Sequence, residues 1–288
     1  MSAVVLVTGG AGLLGSALLA TAPAGSPVHA TWRRSPVTGA TGHRVELSDP
    51  SAVGDLMARV RPGLVVHTAY GKADGERDIV AASRSVAAAT AAVGADLVHL
   101  SSDVVFDGEH APYAEADAPA PLTQYGRWKH TAEREVLRLV PKAVVIRTSL
   151  ILAALLPDPM TAWITGGIRA GCGVDLFVDQ LRCPIAVEDL AAQVWELAGL
   201  PAAERAGVWH LVGPEAVSRY TLGVLLATQL GLPTSAIRPA SSTTRSGVSE
   251  PGPRDLRLTT ARADAVLRHR ARPISDVLSD RAPHAPRS

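Results

Sequence analysis

Three side chains in the middle of the chain, Ser102, Tyr125 and Lys129, have the types and spacing that could deliver a proton to a carbonyl oxygen. Tyr125 and Lys129 are four residues apart, which places them on one face of a helix. A phenol has a pKa of about 10, and a neighbouring ammonium should lower it toward the range useful at neutral pH. The Ser102 hydroxyl can polarise the same oxygen. The set indicates addition of a hydride and a proton to a ketone, if a cofactor site lies nearby.

The amino-terminal residues predict that cofactor site. An apolar run at 4–7 leads into glycines spaced by three, and an apolar segment follows them. A strand, a glycine turn and a helix in this order let backbone N–H groups and the helix amino terminus approach a pyrophosphate. The predicted cofactor contacts of this turn are Gly9, Gly12, Leu13, Leu14 and Gly15. Lys129 is expected to contact the cofactor ribose as well.

Two arginines after the second predicted strand indicate which nicotinamide cofactor is used. Arg33 and Arg34 stand where an acidic residue would suit a free ribose 2′-hydroxyl and an arginine suits a 2′-phosphate. The acidic residue is missing at this point of the sequence. We therefore predict NADPH, with NADH as the second possibility and a solvated pair of surface arginines as the alternative interpretation.

The alternation of strands and helices predicts the fold. Short apolar runs that read as strands occur at 4–7, 27–31, 45–47, 64–69, 95–101, 142–148 and 209–212. Helical segments separate them, including 50–60, which Asp49 should cap, and 76–93. This pattern is typical of an α/β protein with a doubly wound parallel sheet, the Rossmann architecture. Ligands of such sheets bind beyond the strand carboxyl ends, so Ala69 and Tyr70 are expected to border the cofactor.

The strict alternation stops near residue 150, which predicts a second, smaller lobe. We expect an NADPH-binding domain at 1–150, to which 184–213 returns, and a substrate-binding lobe at 151–183 and 214–280. Residues 281–288 should form a disordered tail. Arg245 and Arg254, on or beside a Ser, Thr, Gly and Pro-rich loop, are candidates to meet a diphosphate, although loop arginines are more often solvated.

Composition excludes several classes of partner. A net charge of +1 without a basic run gives no nucleic-acid footprint. No uninterrupted apolar stretch reaches membrane-spanning length, and glycines interrupt the apolar amino terminus where a signal peptide would need continuity. Cys172 and Cys183 lack metal-ligand spacing and suit a reducing compartment, so we expect a cytoplasmic protein without a metal; a homodimer stays open.

His67 and His99 lie in apolar strands and should be packed core residues.

Further motifs, spread over nearly the whole chain, carry a family resemblance. They are Ser-Ser-Asp-Val-Val-Phe-Asp-Gly at 101–108, Pro-Tyr-Ala-Glu at 112–115, the run 121–129 followed by Glu133, Arg-Thr-Ser at 147–149, Phe-Val-Asp-Gln at 177–180, Trp-His-Leu-Val-Gly at 209–213 and Arg-Asp-Leu-Arg-Leu at 254–258. With the glycine turn and the Ser-Tyr-Lys set, this chain resembles extended short-chain dehydrogenases/reductases, and among them the dTDP-4-dehydrorhamnose reductase family.

The resemblance implies NADPH-dependent reduction of a 4-keto-6-deoxyhexose carried on a nucleoside diphosphate. It assigns the polarising hydroxyl to Ser102, the proton donor to Tyr125 and the assisting ammonium to Lys129. The substrate contacts that it implies are Asp103, Val104, Phe106, Gln180 and Arg254. Aliphatic residues at 150–152, where the family commonly has aromatic ones, and the lack of any asparagine are departures that concern the identity of the substrate.

Three rival functions remain. A nucleotide-sugar dehydratase would place an acidic residue where this chain has Val104. An epimerase would retain NAD, whereas Arg33 and Arg34 favour an exchangeable NADPH. A noncatalytic NADPH-binding regulatory subunit is the third, because one branch resembling this family binds and tunes a methionine adenosyltransferase.

Overall fold

The computed structural model describes residues 3–71, 73–153, 159–243 and 252–279. In chain order its strands are β1 (Val5–Thr8), β2 (Val28–Trp32), β3 (Thr41–Arg44), β4 (Leu64–His67), β5 (Asp96–Ser102), β6 (Val144–Thr148), β7 (Ile151–Leu152), β8 (Val174–Phe177), β9 (Leu181–Arg182), β10 (Ile185–Ala186), β11 (Gly207–His210), β12 (Val217–Ser218) and β13 (Ile237–Ala240). Its helices are α1 (Leu13–Ala20), α2 (Pro50–Val60), α3 (Ala82–Val93), α4 (Gln124–Leu139), α5 (Pro159–Arg169), α6 (Val187–Ala198), α7 (Ala202–Arg205), α8 (Arg219–Gln229), α9 (Ala261–Val266) and α10 (Ile274–Ser279). A π-helical turn, Glu76–Ala81, leads into α3, and a 3₁₀ turn, Asp103–Val105, follows β5.

Seven parallel strands form the central sheet in the order β11-β6-β5-β4-β1-β2-β3. The chain enters the sheet at the inner strand β1, adds β2 and β3 on one side, and then crosses over to add β4, β5, β6 and β11 on the other. The predicted doubly wound parallel sheet is confirmed. Thr8 pairs with His67 and His67 with His99, so the carboxyl ends of β1, β4 and β5 lie side by side, as the predicted site requires.

The third strand was predicted at 45–47 and lies instead at Thr41–Arg44. It is the edge strand of the sheet and pairs only with β2, so three of its four residues are exposed and it carries no apolar pattern. The apolar signal came from Leu47, which follows the strand and is buried in the core. The prediction was wrong because burial of the connection was interpreted as burial of the strand.

Helices cover both faces of the sheet, which is how a parallel sheet buries its apolar side chains. Helices α1 and α6 pack on one face, where Leu18 and Leu190 belong to one apolar cluster. Helices α2, α3 and α4 cover the other face with a second cluster. Asp49 caps α2 as predicted, since its carboxylate accepts hydrogen bonds from the N–H groups of Ser51 (2.9 Å) and Ala52 (3.2 Å).

A third apolar cluster lies outside the sheet. It contains Leu176 of β8, Ile237 of β13, Leu222 of α8 and Ile274 of α10. Strand β8 pairs in parallel with β13, and α8 packs on both. Between the segments of this cluster the chain returns to the sheet, where α6 packs on α1 and β11 pairs with β6. None of the described helices combines the length and the apolar character needed to cross a bilayer.

Candidate active site

The glycine turn after β1 is packed so closely that side chains cannot replace its glycines. Gly9 has φ +70, and a Cβ there would lie 2.8 Å from Cα of Ala69. A Cβ on Gly15 would lie 2.2 Å from the Gly9 carbonyl oxygen. No side chain caps the start of α1, so its first N–H groups have no side-chain acceptor. This cradle fits the pyrophosphate of a dinucleotide.

Leu13 and Leu14 can take part in this cradle through their backbone only. Leu14 is 6% exposed and packs in the cluster under α1, and Leu13 packs against the same cluster. A predicted contact of these residues with a cofactor is therefore a contact of their N–H groups at the helix amino terminus.

Arg33 directly follows β2, at the carboxyl edge of the sheet where the cofactor is expected. Two acidic residues from other elements, Asp78 and Glu46, lie beside its guanidinium. Its Nη1 and Nη2 donate hydrogen bonds to Oδ1 (2.7 Å) and Oδ2 (3.1 Å) of Asp78, and Glu46 Oε2 is 3.6 Å from Nη1. The two guanidiniums of Arg33 and Arg77 hold the pKa of Asp78 at about 2 by hydrogen bonding. Sequence reasoning saw no acidic residue near Arg33 because both carboxylates come from distant positions.

Arg34 is exposed and forms no ion pair with any residue in the described part of the chain. Beside it, a cleft of about 380 Å³ separates the glycine turn and α1 from the segment after β2. Gly10 and Ala11 line one side of this cleft, and Ser35 and Thr38 line the other.

Helix α4 carries Tyr125, the predicted proton donor, and Lys129, the predicted assisting ammonium. Thr123 caps the helix by accepting a hydrogen bond from the N–H of Gly126 (3.2 Å). Lys129 is 5% exposed, and its Nζ donates to the carbonyl oxygen of Leu100 on β5 (2.9 Å). The same Nζ lies 5.3 Å from the ring centre of Tyr70, which is 6.4 Å from the ring centre of Tyr125. Tyr70, Tyr125 and Lys129 thus form one group at the carboxyl ends of β4 and β5.

The start of α4, which carries Tyr125, packs closely against the turn after β5, which Ser102 caps. A Cβ on Gly126 would lie 2.3 Å from the carbonyl oxygen of Val104, so only glycine permits this approach. Ser102 caps the 3₁₀ turn by accepting from the N–H of Val104, and its hydroxyl donates to Oδ1 of Asp103 (3.0 Å). The structure therefore brings into contact the elements that carry the predicted catalytic residues Ser102, Tyr125 and Lys129.

The pKa of Tyr125 lies above its ordinary value, whereas the sequence analysis expected the ammonium to lower it. Burial is the main cause, and the neighbouring Tyr70 and Asp103 add to it. The Lys129 ammonium donates its hydrogen bond to the Leu100 carbonyl. Tyr125 is therefore a protonated phenol at neutral pH, which is the form that can give a proton to a carbonyl oxygen.

Asp103, a predicted substrate contact, is held by the protein. It is 3% exposed, and its second oxygen accepts a hydrogen bond from the Ser149 hydroxyl (2.6 Å). Burial raises its pKa, while Arg182, the two serines and Arg219 oppose that shift. The structure thus gives Asp103 the task of orienting Ser102 and Ser149.

The other predicted substrate contacts have different surroundings. Phe106 is fully buried, stacked on Tyr113 with ring centres 4.2 Å apart, so it offers no surface to a substrate. Its apolar character serves the core under the site. Val104 is half-buried at the 3₁₀ turn and Gln180 is 7% exposed. Arg254 is exposed and forms an ion pair with Glu109 (3.1 Å).

The predictions for Arg245 and for the tail 281–288 concern residues outside those that the structure describes. His67 and His99 are each 1% exposed, which confirms them as core residues. His67 bonds to Thr8 (2.7 Å) and Ser83 (3.1 Å). Within the described residues there is no group of three or more His, Cys, Asp or Glu side chains suited to a metal ion.

Glu133 and Arg147 belong to the motifs that carry the family resemblance, but the sequence assigns them no role. The structure shows them as a buried ion pair, to which Ser101 adds a hydrogen bond from its hydroxyl to Glu133. The sequence does contain a signal for Glu133: Tyr125, Lys129 and Glu133 recur every four residues and so lie on one face of α4.

The fold and the site together define an NAD(P)-dependent oxidoreductase of the short-chain dehydrogenase/reductase class. A family model described as "RmlD substrate binding domain" matches residues 3–280. The chain belongs to this family.

Comparison with known proteins gives relatives with different names. The "dTDP-4-dehydrorhamnose reductase" of Mycobacterium tuberculosis is 32% identical over 254 residues, which are 83% of this chain and 79% of the relative. The "Methionine adenosyltransferase 2 subunit beta" of Rattus norvegicus is 30% identical over 266 residues, 86% of this chain and 78% of the relative. The crystal structure of a dTDP-4-dehydrorhamnose reductase from Bacillus anthracis in complex with NADP superposes with a TM-score of 0.82 at 20% identity, covering 98% of this chain and 99% of that one.

Proposed function

We propose that this protein uses NADPH to reduce the keto group of a 4-keto-6-deoxyhexose linked to a nucleoside diphosphate. The observation that carries the proposal is the position of Tyr125 and Lys129 on α4, packed against the turn that holds Ser102. The 32% identity with a relative named for such a reduction supports the substrate class.

The cofactor site consists of the glycine turn, the start of α1 and the segment after β2. Gly9, Gly12 and Gly15 leave room for the pyrophosphate, and Arg33 and Arg34 lie at the adenosine end. Ala69 and Tyr70 border the nicotinamide end. When bound, NADPH supplies the hydride that is added to the carbonyl carbon.

The protein's own residues complete the reaction at the oxygen. The Tyr125 phenol donates its proton to the carbonyl oxygen as the hydride reaches the carbon, so the ketone becomes an alcohol. The Ser102 hydroxyl turns from Asp103 to donate a hydrogen bond to the same oxygen. The ammonium of Lys129 stabilises the phenolate that remains and contacts the cofactor ribose.

The substrate lobe is proposed to be built from 151–183 and 214–280, with Val104 and Gln180 at its border with the sheet. Arg254 is a candidate for the diphosphate, for which it would exchange its exposed ion pair with Glu109. Cys172 and Cys183 are free thiols in the structure, and we further infer a cytoplasmic location from them.

A noncatalytic, NADPH-binding regulatory subunit is the second candidate, since a relative of 30% identity is named as a subunit of a methionine adenosyltransferase. A nucleotide-sugar dehydratase is less well supported, because the apolar Val104 occupies the position of the acidic group that it needs. An epimerase is less well supported, because Arg33 and Arg34 favour an NADPH that exchanges.

The experiment is a panel of dTDP-linked 4-keto sugars, with NADPH oxidation as the readout. The wild type should oxidise NADPH with at least one sugar. Tyr125→Phe should lower kcat by about 10²–10⁴-fold and leave the Kd of NADPH unchanged, because only the proton donor is lost. Tyr220→Phe, which changes a partly buried tyrosine packed against the third apolar cluster, is the matched control and should retain the rate. Tight NADPH binding without turnover of any sugar would favour the regulatory function.

A further inference from the structure

The carboxylate of Asp78 fixes the position of Arg33. Both carboxylate oxygens accept hydrogen bonds from Arg33, at 2.7 and 3.1 Å, and Oδ1 also accepts one from Nε of Arg77 at 2.7 Å. The Asp78 side chain is only 4% exposed. A bidentate pair of this kind holds the guanidinium in one plane and one direction.

The position of Asp78 depends on the local backbone of its own turn and on a glycine packed against its carboxylate. It belongs to the π-helical turn Glu76–Ala81, a local irregularity that is frequent at functional sites. A Cβ on Gly71 would lie 2.2 Å from Oδ2 of Asp78, so the segment after β4 passes against the carboxylate only because it has glycine there. Asp78 therefore joins Arg33 to the segment Ala69–Gly71, which borders the proposed cofactor site.

Glu46 adds a second negative charge to the surroundings of Arg33. Its Oε2 is 3.6 Å from Nη1 of Arg33, and its side chain is 43% exposed. A phosphate that approached Arg33 would also approach Glu46, and two like charges at this range repel each other. Arg33 is thus poorly suited to attract a dianion.

Arg34 has the opposite surroundings. It is exposed and forms no ion pair with a described residue. The next residue, Ser35, lines the cleft of about 380 Å³ beside Gly10 and Ala11 of the glycine turn. A guanidinium and a hydroxyl next to the proposed cofactor cradle are the groups that bind a phosphate monoester.

We propose that the two consecutive arginines have different tasks: Arg34, with Ser35, binds the 2′-phosphate and selects NADPH, whereas Arg33 contacts the adenosine part that NADPH and NADH share. Asp78 is the positioning residue that keeps Arg33 in this second task. The proposal rests on the cofactor site of the proposed function and refines it, because that function leaves the two arginines equivalent.

The test is fluorescence titration of the purified full chain with NADPH and, separately, with NADH. Arg34→Ala should raise the Kd of NADPH about tenfold or more and change the Kd of NADH less than about twofold, since only the phosphate contact is lost. Arg33→Ala should raise both values by a similar factor. Arg34→Lys should restore part of the preference, because it restores the charge without the fork.

Two further variants separate charge from structure. Glu46→Gln removes the repelling charge and should lower the Kd of NADPH about twofold, with no change for NADH. Arg33→Lys keeps a cation beside Asp78, so it covers the case in which Arg33→Ala does not fold; it should likewise act on both cofactors equally.

Selective loss of NADPH binding in the Arg33 variants, or none in Arg34→Ala, overturns the division of tasks and leaves the reductase function intact. Equal binding of NADPH and NADH by the wild type overturns both the division and the proposed choice of cofactor. These binding constants are measured without a sugar substrate, so failure to reduce a ketone does not affect them.

Discussion

Glu133 of α4 and Arg147 of β6 form an ion pair at 2.9 Å in which both side chains are at most 4% exposed. Ser101 donates its hydroxyl to the same carboxylate, and Ser101 directly precedes Ser102. Glu133 therefore joins the helix that carries Tyr125 and Lys129 to β6 through Arg147, and to β5, the strand that ends at Ser102, through Ser101. We expect the distance between the two halves of the proposed catalytic set to depend on these contacts.

Removing one partner of this pair should damage both stability and catalysis. We expect Glu133→Gln to lower the free energy of unfolding by about 3–5 kcal/mol, because Arg147 would keep a buried, uncompensated charge. The kcat for ketone reduction should fall while the Kd of NADPH stays constant. Urea unfolding and steady-state kinetics measure the two effects.

The control for this variant is Glu135→Gln, two residues further along α4. Glu135 pairs with Arg84 and Arg138, whose side chains are 54% and 61% exposed. Its loss should cost less than about 1 kcal/mol. If both variants had the same small effect, Glu133 would not anchor the helix.

Substitution of a glycine in the turn after β1 tests the cofactor cradle. In Gly15→Ala the new Cβ would meet the carbonyl oxygen of Gly9 at 2.2 Å and Cα of Gly10 at 2.9 Å, so the turn must open. We expect a loss of about 1–3 kcal/mol in stability and an increase of about tenfold in the Kd of NADPH. Calorimetry and fluorescence titration provide the measurements.

Gly54→Ala in α2 is the control for Gly15→Ala. No atom lies within 4 Å of its added Cβ. Alanine in a helix interior should stabilise the protein by about 0.5–1 kcal/mol and leave NADPH binding as it was. NADPH binding that Gly15→Ala leaves unaltered would show that the turn does not hold the cofactor.

Buried histidines should make the protein sensitive to mild acid. Burial lowers the pKa of His67 to about 3 and of His210 to about 4, and it holds the pKa of His99 well below the ordinary 6.5. Below about pH 6.5 the unfolded chain therefore binds more protons than the folded one. Each ring should cost about 1.4 kcal/mol of stability per pH unit from there down to its folded pKa.

Urea unfolding at about pH 7 and about pH 5 measures this loss. His99→Leu should reduce the difference between the two conditions, since one titrating ring is gone. An undiminished acid sensitivity in His99→Leu would rule out the role given to that ring.

The sheet and the glycine turn could be predicted from the sequence because each depends on local spacing, and the same kind of spacing places Tyr125 and Lys129 on one face of α4. Prediction failed where the surroundings of a residue depend on contacts between segments that are far apart in the sequence. The carboxylates of Glu46 and Asp78 reach Arg33 from other elements, and no local pattern connects them. Phe106 lies within a motif that resembles a substrate site, yet its neighbours in space are Tyr113 and Arg147. The elevated pKa of Tyr125 likewise follows from burial that spacing does not reveal.

Strand β11 closes the outer side of β6 although more than fifty residues separate the two along the chain. A fragment that ended soon after β6 would keep the glycine turn but would leave the backbone N–H and C=O groups of β6 open to other chains. It would also lose α6, which covers the apolar face beside α1. The nucleotide-binding half therefore cannot be prepared by simple truncation, and such a fragment should aggregate instead of folding.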